Sequence, residues 1–249
     1  MGSRYFLISF LPDLHFDKAP EMSLDEVMFF AGLNLSIHEM RSVNLLHTFF
    51  DIENACRHLL GTPMTALGSL NRRELQEKLE EEDLDLPGAH TFFSRYLTRE
   101  SRQKNAHKLI RFFLEEIPPS FPSFIYNYFQ IEHTLRLLTG YLRAQAMGKP
   151  FSINNQPFDF EIDNTKTWPE PYSDLYSLWN NRPKEAREFE KGLSKWKFEA
   201  IENLCAHSKP FSLDFFLSYL IRLRIVEAQI ELNDPVHLNI IERIAKATR

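Results

Sequence analysis

The sequence predicts an all-α protein, and its composition and helix punctuation both support that class. Gly is scarce, with 8 residues among 249, whereas Leu is abundant. Only four Val residues occur, at Val27, Val43, Val226 and Val236. Because Leu is a strong helix former and Val favours strands, this balance favours helix over sheet. Capping residues, Pro and Gly then divide the chain into long helical segments.

Helix starts are most clearly marked by capping motifs. Ser23-Leu-Asp-Glu26 and Ser36-Ile-His-Glu39 both have the spacing of a capping box, in which Ser is the N-cap and Glu follows three residues later. Asn71-Arg-Arg-Glu74 opens a helix in a similar way, and Asp234-Pro235 caps a last one. The predicted helices cover Ser23–Gly32, Ser36–Gly61, Asn71 to near Pro87-Gly88, His90–Glu116 with a break near Thr98, Phe124–Met147, Lys184–Ala206, Ser212–Leu232, and the residues after Asp234-Pro235.

Two segments fit this helical pattern less well. Tyr5–Leu11 is almost wholly apolar, so its periodicity allows either a strand or a helix start. Residues 149–183 contain five Pro and several aromatic residues, which predicts a long loop with one helical turn at Asp174–Trp179. We therefore expect residues 1–249 to form a single all-helical domain, with the connection at 149–183 as an alternative boundary between two lobes.

Composition and charge exclude several classes of protein. With 43% hydrophobic residues, the chain is neither disordered nor collagen-like. The net charge of −5 argues against a nucleic-acid partner. No apolar run reaches the roughly 18 residues of a membrane span, and no secretory signal is evident. Two cysteines, Cys56 and Cys205, are too few for a disulfide framework, so we expect a reduced, cytoplasmic setting.

The residue patterns of common catalytic and cofactor sites are also missing from the sequence. No two Gly lie within six residues of each other. The Gly-rich phosphate loops of dinucleotide-binding and of ATP-binding proteins are therefore both absent from the sequence. A Gly-x-Ser-x-Gly elbow does not occur, and the His residues lack the spacing of helical metal sites. The sequence therefore predicts no catalytic residue, cofactor or metal.

Two segments of the chain resemble each other and suggest an internal repeat. Phe50–Gly61 and Phe129–Gly140 are identical at six of twelve positions, and both lie late in a long predicted helix. Each places Glu four residues before Arg, as Glu53 with Arg57 and Glu132 with Arg136. Such pairs are also common on helix surfaces, where they contribute about 0.2–0.5 kcal/mol.

Two stretches resemble known proteins of rotary ATPases. Tyr5-Phe-Leu-Ile-Ser-Phe-Leu-Pro-Asp-Leu14 resembles the start of an uncharacterised bacterial family, of the chlamydial type, whose genes lie in V-type ATPase operons. The segment from Phe129 to Gly148 is similar to the pattern of the V-type ATPase C subunit, which is the counterpart of the eukaryotic d subunit. Leu223-Arg-Ile-Val-Glu227 is more loosely similar to the C-terminal repeat of that protein.

The resemblance implies a funnel-like fold, like that of the V-type ATPase C subunit, in which long antiparallel helices form helical repeats. It also implies a non-catalytic central-stalk protein that couples ATP-driven or ATP-producing ion transport. Its partners would be the central-shaft subunit and the membrane proteolipid ring. The protein would then be cytoplasmic and peripheral, and would contact the membrane only through the ATPase complex.

Under this resemblance, the polar lining of the funnel is expected to bind the shaft. The candidate partner-binding residues are Glu53, Arg57, Glu132, Arg136 and Arg143. Arg136 and Arg143 are seven apart and hence on one helix face. One alternative is a helical enzyme whose site is assembled from the distant residues His47, Asp51 and His133. A generic helical scaffold protein for another complex is a further alternative.

Overall fold

The structure is a computed structural model, and it describes residues 2–61, 64, 68–117, 122–148, 172–181, 186–206 and 208–233. Every regular element within these ranges is a helix, and no strand occurs in them. The all-α class is therefore confirmed for the described part of the chain. The helix predicted after Asp234-Pro235 lies outside the described residues, as do residues 149–171 and 182–185 of the predicted connection.

Eleven α-helices lie within the described ranges. Six of them (α2, α3, α8, α9, α10 and α11) begin and end within two residues of the predicted bounds. The helices are α1 (Gly2–Phe10), α2 (Leu24–Asn34), α3 (Ile37–Leu59), α4 (Arg72–Glu80), α5 (Ala89–Arg95), α6 (Arg99–Asn105), α7 (His107–Glu116), α8 (Ser123–Ala146), α9 (Ser173–Asn180), α10 (Ala186–Cys205) and α11 (Leu213–Asn233).

The predicted helix over His90–Glu116 is three helices, α5, α6 and α7. The predicted break near Thr98 is confirmed: Thr98 is the N-cap of α6, and its hydroxyl accepts a hydrogen bond from the Ser101 backbone N–H at 3.2 Å. A second break at Ala106, between α6 and α7, was not predicted. Arg102 secures the first break because its Nε donates to the Tyr96 carbonyl at 2.7 Å.

The chain divides into two compact units. Unit 1 consists of Met1–Ser36 and Glu161–Arg249, and unit 2 consists of Ile37–Phe160. The division between residues 160 and 161 falls inside the predicted connection at 149–183. The division between residues 36 and 37 lies between α2 and α3.

Unit 1 contains α1, α2, α9, α10 and α11. In it, α10 packs on α11 and α9, and α2 packs on α1 and α11. The predicted capping box at the start of α2 is present, with Ser23 and Glu26 bonded to each other in both directions. The Leu24 backbone N–H also donates to the Glu227 carboxylate at 2.7 Å. This bond fixes the start of α2 against α11.

Unit 2 contains α3 to α8. In it, α3 packs on α7, α5 on α7 and α4 on α3. The direction of α3 relative to α7 follows from two contacts: Phe49 meets Phe113 at a ring-centroid distance of 5.7 Å, and the Cys56 thiol donates to the Ala106 carbonyl at 3.1 Å. Residue numbers rise along α3 as they fall along α7, so these two helices are antiparallel.

Candidate functional site

The two segments of the predicted repeat lie side by side in unit 2. Phe49 of α3 contacts Phe129 of α8 at a centroid distance of 4.6 Å and Tyr128 at 6.2 Å. Further along both helices, Glu53 forms an ion pair with Arg136. Because residue numbers rise together in these contacts, α3 and α8 run in the same direction. Equivalent faces of the two segments therefore pack against each other.

The Glu53–Arg136 ion pair joins the Glu of one segment to the Arg of the other. The side chain of Glu53 is 13% exposed and that of Arg136 is 38% exposed. Burial of the guanidinium lowers the pKa of Arg136 to about 10, so the group is still a cation at neutral pH. One guanidinium nitrogen of Arg136, Nε, is buried without a hydrogen-bond partner. The pair is therefore a partly buried interhelical contact, where breaking one partner costs more than at the surface.

The other predicted partner-binding residues occupy different environments. Glu132 is 4% exposed and belongs to the interior of unit 2. Arg57 is exposed on α3. Arg143 lies in α8, but its side chain is outside the described part of the chain. Of these three, Arg57 is the side chain that the structure places at the surface.

Asp51, a member of the alternative enzyme site, has a structural role. It is 1% exposed, and its carboxylate accepts hydrogen bonds from the Ser69 hydroxyl at 2.6 Å and the Leu70 backbone N–H at 3.0 Å. A Cβ at Gly68 would collide with this carboxylate. Asp51 therefore holds residues 68–70 against α3 in the turn before α4.

The two histidines of that alternative are also in unit 2. His47 is half-buried one turn before Asp51 on α3, and His133 is buried on α8. Among the residues that the structure describes, no three His, Cys, Asp or Glu side chains are grouped so that they could hold a metal ion. The thiol of Cys56 is a poor nucleophile because burial raises its pKa to about 12.

The most prominent surface feature of unit 1 is a cluster of aromatic and apolar side chains on α1 and α2. We call it the aromatic face; it consists of exposed Tyr5, Phe6, Phe10, Phe29 and Leu33 with half-buried Phe30. The ring centroids of Phe6 and Phe10 are 6.4 Å apart, and Phe10 is 5.3 Å from Phe30. Phe29 in turn is 5.7 Å from Phe30. The rings of Phe6, Phe10, Phe29 and Phe30 therefore form one connected surface across both helices.

The aromatic face is separate from the side chains that pack the interior of unit 1. Leu7 and Ile8 are the buried residues of α1, and Val27 and Ala31 are those of α2. Phe6 is 59% exposed and Phe29 is 65% exposed. The exposed side of α1 carries Phe6 and Phe10 beside Ser9, so large apolar side chains face solvent where an amphipathic helix would carry polar ones. Large connected apolar surfaces of this kind are typical of interaction sites.

Sequence reasoning did not identify the aromatic face, although a signal was present. Phe6 and Phe10 are four residues apart, as are Phe29 and Leu33, so each pair lies on one side of a helix. The polar residues of α1 do not mark its exposed side, because Arg4 is half-buried whereas Phe6 and Phe10 are exposed. Recognising the surface required knowing that Leu7 and Ile8, and not Phe6 and Phe10, face the interior.

The described helices are not suited to crossing a membrane. Within those ranges, none combines the necessary length with sufficient apolar character.

The fold and the surface define a class: a helical protein with an exposed aromatic face and, in its described ranges, no cluster of metal ligands. The chain belongs to the family described as a protein of unknown function, DUF2764, whose model matches residues 1–247. No solved structure matches the chain.

Uncharacterised chlamydial proteins are similar to the chain over most of their length. One from Chlamydia muridarum (strain MoPn / Nigg) is 26% identical, with 90% of this chain and 92% of that protein covered. One from Chlamydia trachomatis serovar D is 23% identical, with 98% of each covered. One from Chlamydia pneumoniae is 24% identical, with 84% of this chain and 85% of that protein covered.

Proposed function

We propose that the protein is a non-catalytic component of a V-type rotary ATPase, where it links the central shaft to the membrane proteolipid ring. The aromatic face of unit 1 is the observation that carries the docking part of this proposal. The sequence resemblance to the V-type ATPase C subunit carries the choice of complex. In this role the protein is peripheral on the membrane-bound complex and transmits torque without reacting with a substrate.

An exposed aromatic surface suits a docking protein for physical reasons. Aromatic side chains remove a large apolar area from water when a partner covers them, and Phe and Tyr are enriched in interface cores. Asp25 and Glu26 are exposed at the first turn of α2, the helix that carries Phe29 and Leu33. We therefore expect the partner to bring apolar side chains to the rings and basic side chains to the adjacent carboxylates.

A structural role for the repeat fits the same proposal. A protein that transmits torque needs rigid elements, and the parallel helices α3 and α8 are joined by packed rings and by the Glu53–Arg136 ion pair. In this proposal Arg57 and Arg143 are the candidate contacts with the shaft, and Glu53, Glu132 and Arg136 hold the helices that carry them.

Affinity capture tests the proposal. The full chain is used as bait on gently solubilised membranes of the source organism, with a functional ATPase present in the extract. We expect joint recovery of the catalytic subunits, the shaft subunit and the proteolipid. Recovery of none of them would contradict the proposed complex.

Variant baits test whether the aromatic face is the docking surface. The double variant Phe6→Ser/Phe29→Ser removes two exposed rings, so it should fold normally and recover at least tenfold less of the ATPase. Leu97→Ser is the matched control, because Leu97 is an exposed apolar residue of unit 2, and it should recover as much as the wild type. Equal recovery by both variants would exclude the aromatic face as the docking surface.

A charge swap separates the structural and partner-binding roles of the ion pair. Arg136→Glu alone places two carboxylates together and should lower the melting temperature. The double variant Glu53→Arg/Arg136→Glu restores an ion pair of reversed orientation and should recover part of that stability. If recovery of the ATPase follows stability in these variants, the pair acts within unit 2. If the stable double variant still fails to recover the ATPase, the pair contacts the partner directly.

A further inference from the structure

Unit 1 contains a cleft of about 820 Å³. Its walls come from the end of α1 and the following segment Leu11–Lys18, from α10, and from α11 with the turn before it. The volume lies within the range of about 300–1,000 Å³ that is typical of small-molecule sites. Both apolar and hydrogen-bonding side chains line the cleft, among them Phe16, Phe198, Phe215, Glu202, Tyr219 and Arg222.

The segment Leu11–Lys18 is held in place although it is not helical. Phe16 is buried and packs edge-on against Phe198 of α10, with ring centroids 5.8 Å apart. Asp17 forms an ion pair with Lys191 at 3.2 Å. The wall that this segment provides is therefore fixed to α10 at two successive residues.

Two buried polar groups at the cleft have no hydrogen-bond partner. They are the hydroxyl of Tyr219 and the Nε–H of Arg222, which lie one helical turn apart on α11. Tyr219 is 3% exposed and Arg222 is 8% exposed. Both groups are hydrogen-bond donors. A buried donor without an acceptor is costly and uncommon in folded proteins, so this arrangement calls for an acceptor atom.

The charge of Arg222 is already balanced. A terminal nitrogen of its guanidinium donates to the Glu202 carboxylate at 2.6 Å, and the guanidinium lies over the Phe198 ring at 5.2 Å from the centroid. An ionised ligand is therefore not needed to neutralise it. The remaining donor requires an acceptor oxygen but not a negative charge.

The surroundings of Tyr219 also disfavour an anion. Burial raises the pKa of Tyr219 to about 12; Arg222 opposes this rise, and the carboxylates of Glu21 and Asp13 add to it. The hydroxyl therefore keeps its proton and can donate it in a hydrogen bond. Carboxylates of Asp13, Asp17 and Glu202 line the cleft, against the cations Lys18 and Arg222. Because Asp17 is paired with Lys191 and Glu202 with Arg222, the lining has no net positive charge that would attract an anion.

We propose that this cleft is a binding site for an apolar ligand with an uncharged amide or peptide carbonyl, whose oxygen accepts hydrogen bonds from Tyr219 and Arg222. Phe16, Phe198 and Phe215 supply the apolar walls for the rest of the ligand. The two donor atoms are buried in the free protein, so binding of the carbonyl requires a rearrangement of the lining side chains. The proposal is independent of the ATPase role, since no residue of the aromatic face takes part in it.

Ligand-observed NMR on the full chain tests the chemistry with three probes that share a phenyl ring. They are N-acetyl-phenylalaninamide, which is uncharged, 3-phenylpropionate, which is an anion, and 2-phenylethylamine, which is a cation without a carbonyl. At about 0.3 kcal/mol per heavy atom, a compound of this size binds with a Kd on the order of 1 mM. We expect saturable binding of the amide, and at least tenfold weaker binding of the other two. Preferential binding of the anion, or no saturation by the amide about tenfold above that Kd, would overturn the proposal.

Two conservative variants test the donors. Tyr219→Phe removes only the hydroxyl, and Arg222→Lys keeps a cation beside Glu202 but removes the Nε–H. Each should weaken amide binding about tenfold. Tyr219→Phe should also raise the melting temperature of the free protein, because it deletes a buried group that lacks a partner.

Tyr96→Phe is the matched control, since Tyr96 is a half-buried tyrosine of unit 2 and the substitution keeps the ring that contacts Phe92 and Lys108, and it should change neither property. A lower melting temperature for Tyr219→Phe would show that the hydroxyl already has an acceptor, and unchanged amide binding by both variants would place the ligand elsewhere. Either result would overturn the proposal without bearing on recovery of the ATPase.

Discussion

The two units use aromatic side chains in opposite ways. In unit 2, Phe49, Phe113 and Phe129 are each at most 1% exposed and contact one another at centroid distances of 4.6 to 5.7 Å. In unit 1, the rings of the aromatic face are also connected, at centroid distances of 5.3 to 6.4 Å, but its outermost members are more than half exposed. Ring clustering alone therefore does not distinguish a hydrophobic core from a docking surface.

The number of surrounding helices explains the difference. In unit 2 the rings lie between α3, α7 and α8, so three helices exclude water from them. In unit 1 the aromatic face is formed by α1 and α2 on the side away from their buried residues. A buried ring contributes to the free energy of folding. An exposed ring contributes to the free energy of binding, and only when a partner covers it. Substitutions in the two units should separate these two contributions.

The largest expected effect is loss of a ring from the core of unit 2. Phe49→Ala should lower the free energy of unfolding by about 3–5 kcal/mol, because it removes buried apolar area and leaves a cavity. Phe29→Ala is the counterpart in unit 1 and should change the free energy by less than about 1 kcal/mol. Urea denaturation followed by circular dichroism measures both. Equal losses would mean that the rings of unit 1 also belong to a core.

The next effect concerns two glycines, one in each unit. Gly88 has a φ of +78°, and a Cβ there would collide with the backbone of Phe112 and Phe113. Gly88→Ala should therefore cost about 2–3 kcal/mol. Gly32 lies in α2, and a Cβ there would meet nothing within 4 Å.

The counterpart variant, Gly32→Ala, should stabilise the protein by up to about 1 kcal/mol through helix propensity. Thermal and urea unfolding compare the two variants. A destabilising Gly32→Ala would mean that the surface of α2 beside Phe29 and Leu33 is more crowded than the structure indicates.

A smaller effect is expected at two aspartates. Asp51→Asn replaces a carboxylate that accepts bonds from Ser69 and Leu70 with an amide that has one acceptor oxygen. The loss should be about 1–2 kcal/mol. Asp25→Asn in unit 1 changes an exposed residue at the start of α2 and should cost no more than about 0.5 kcal/mol.

Urea unfolding again provides the measurement for both aspartates. If Asp51→Asn were as mild as Asp25→Asn, the bonds from Asp51 to residues 69 and 70 would contribute little to the stability of unit 2. Asp51 would then be available for the catalytic role considered for it with His47 and His133.

The sequence predicts the features that depend on local interactions. The starts of α2 and α4 follow from the capping boxes at Ser23 and Asn71, because each box involves residues only three apart. The break at Thr98 has the same local origin. The partner of Glu53 could not be predicted in this way: the sequence suggests Arg57, one turn away, whereas the structure pairs Glu53 with Arg136 of another helix.

Features that depend on packing between distant segments were not predictable. The exposed side of α1 is one example, since α1 has apolar residues on both sides and only its packing on α2 decides which are covered. The cleft of unit 1 is another, because Phe16 and Phe198 are far apart in sequence and meet only in the folded chain. The candidate site residues chosen from sequence spacing therefore all lie in unit 2. The aromatic face and the cleft of unit 1 were not among the predicted sites.

The smallest expected effect is a pH dependence at the start of α2, beside the aromatic face. Hydrogen bonds from the backbone and the hydroxyl of Ser23 lower the pKa of Glu26 below its usual value of 4.5. A carboxylate with a lowered pKa in the folded state stabilises that state above the unfolded pKa, and this contribution is lost as the pH falls. Glu26→Gln should therefore reduce stability at pH 7, and its difference from the wild type should shrink once the pH falls below 4.5.

Urea unfolding of both proteins across this pH range provides the measurement. Glu74→Gln in the capping box of α4 is the matched variant in unit 2, since Glu74 makes the equivalent bond to the Asn71 backbone at 3.0 Å. A pH-independent difference for Glu26→Gln would mean that the charge of Glu26 does not contribute to the cap. Glu26 would then act only in binding the partner beside the aromatic face. In that case Glu26→Gln should weaken partner binding, and the loss should be clearest at low salt.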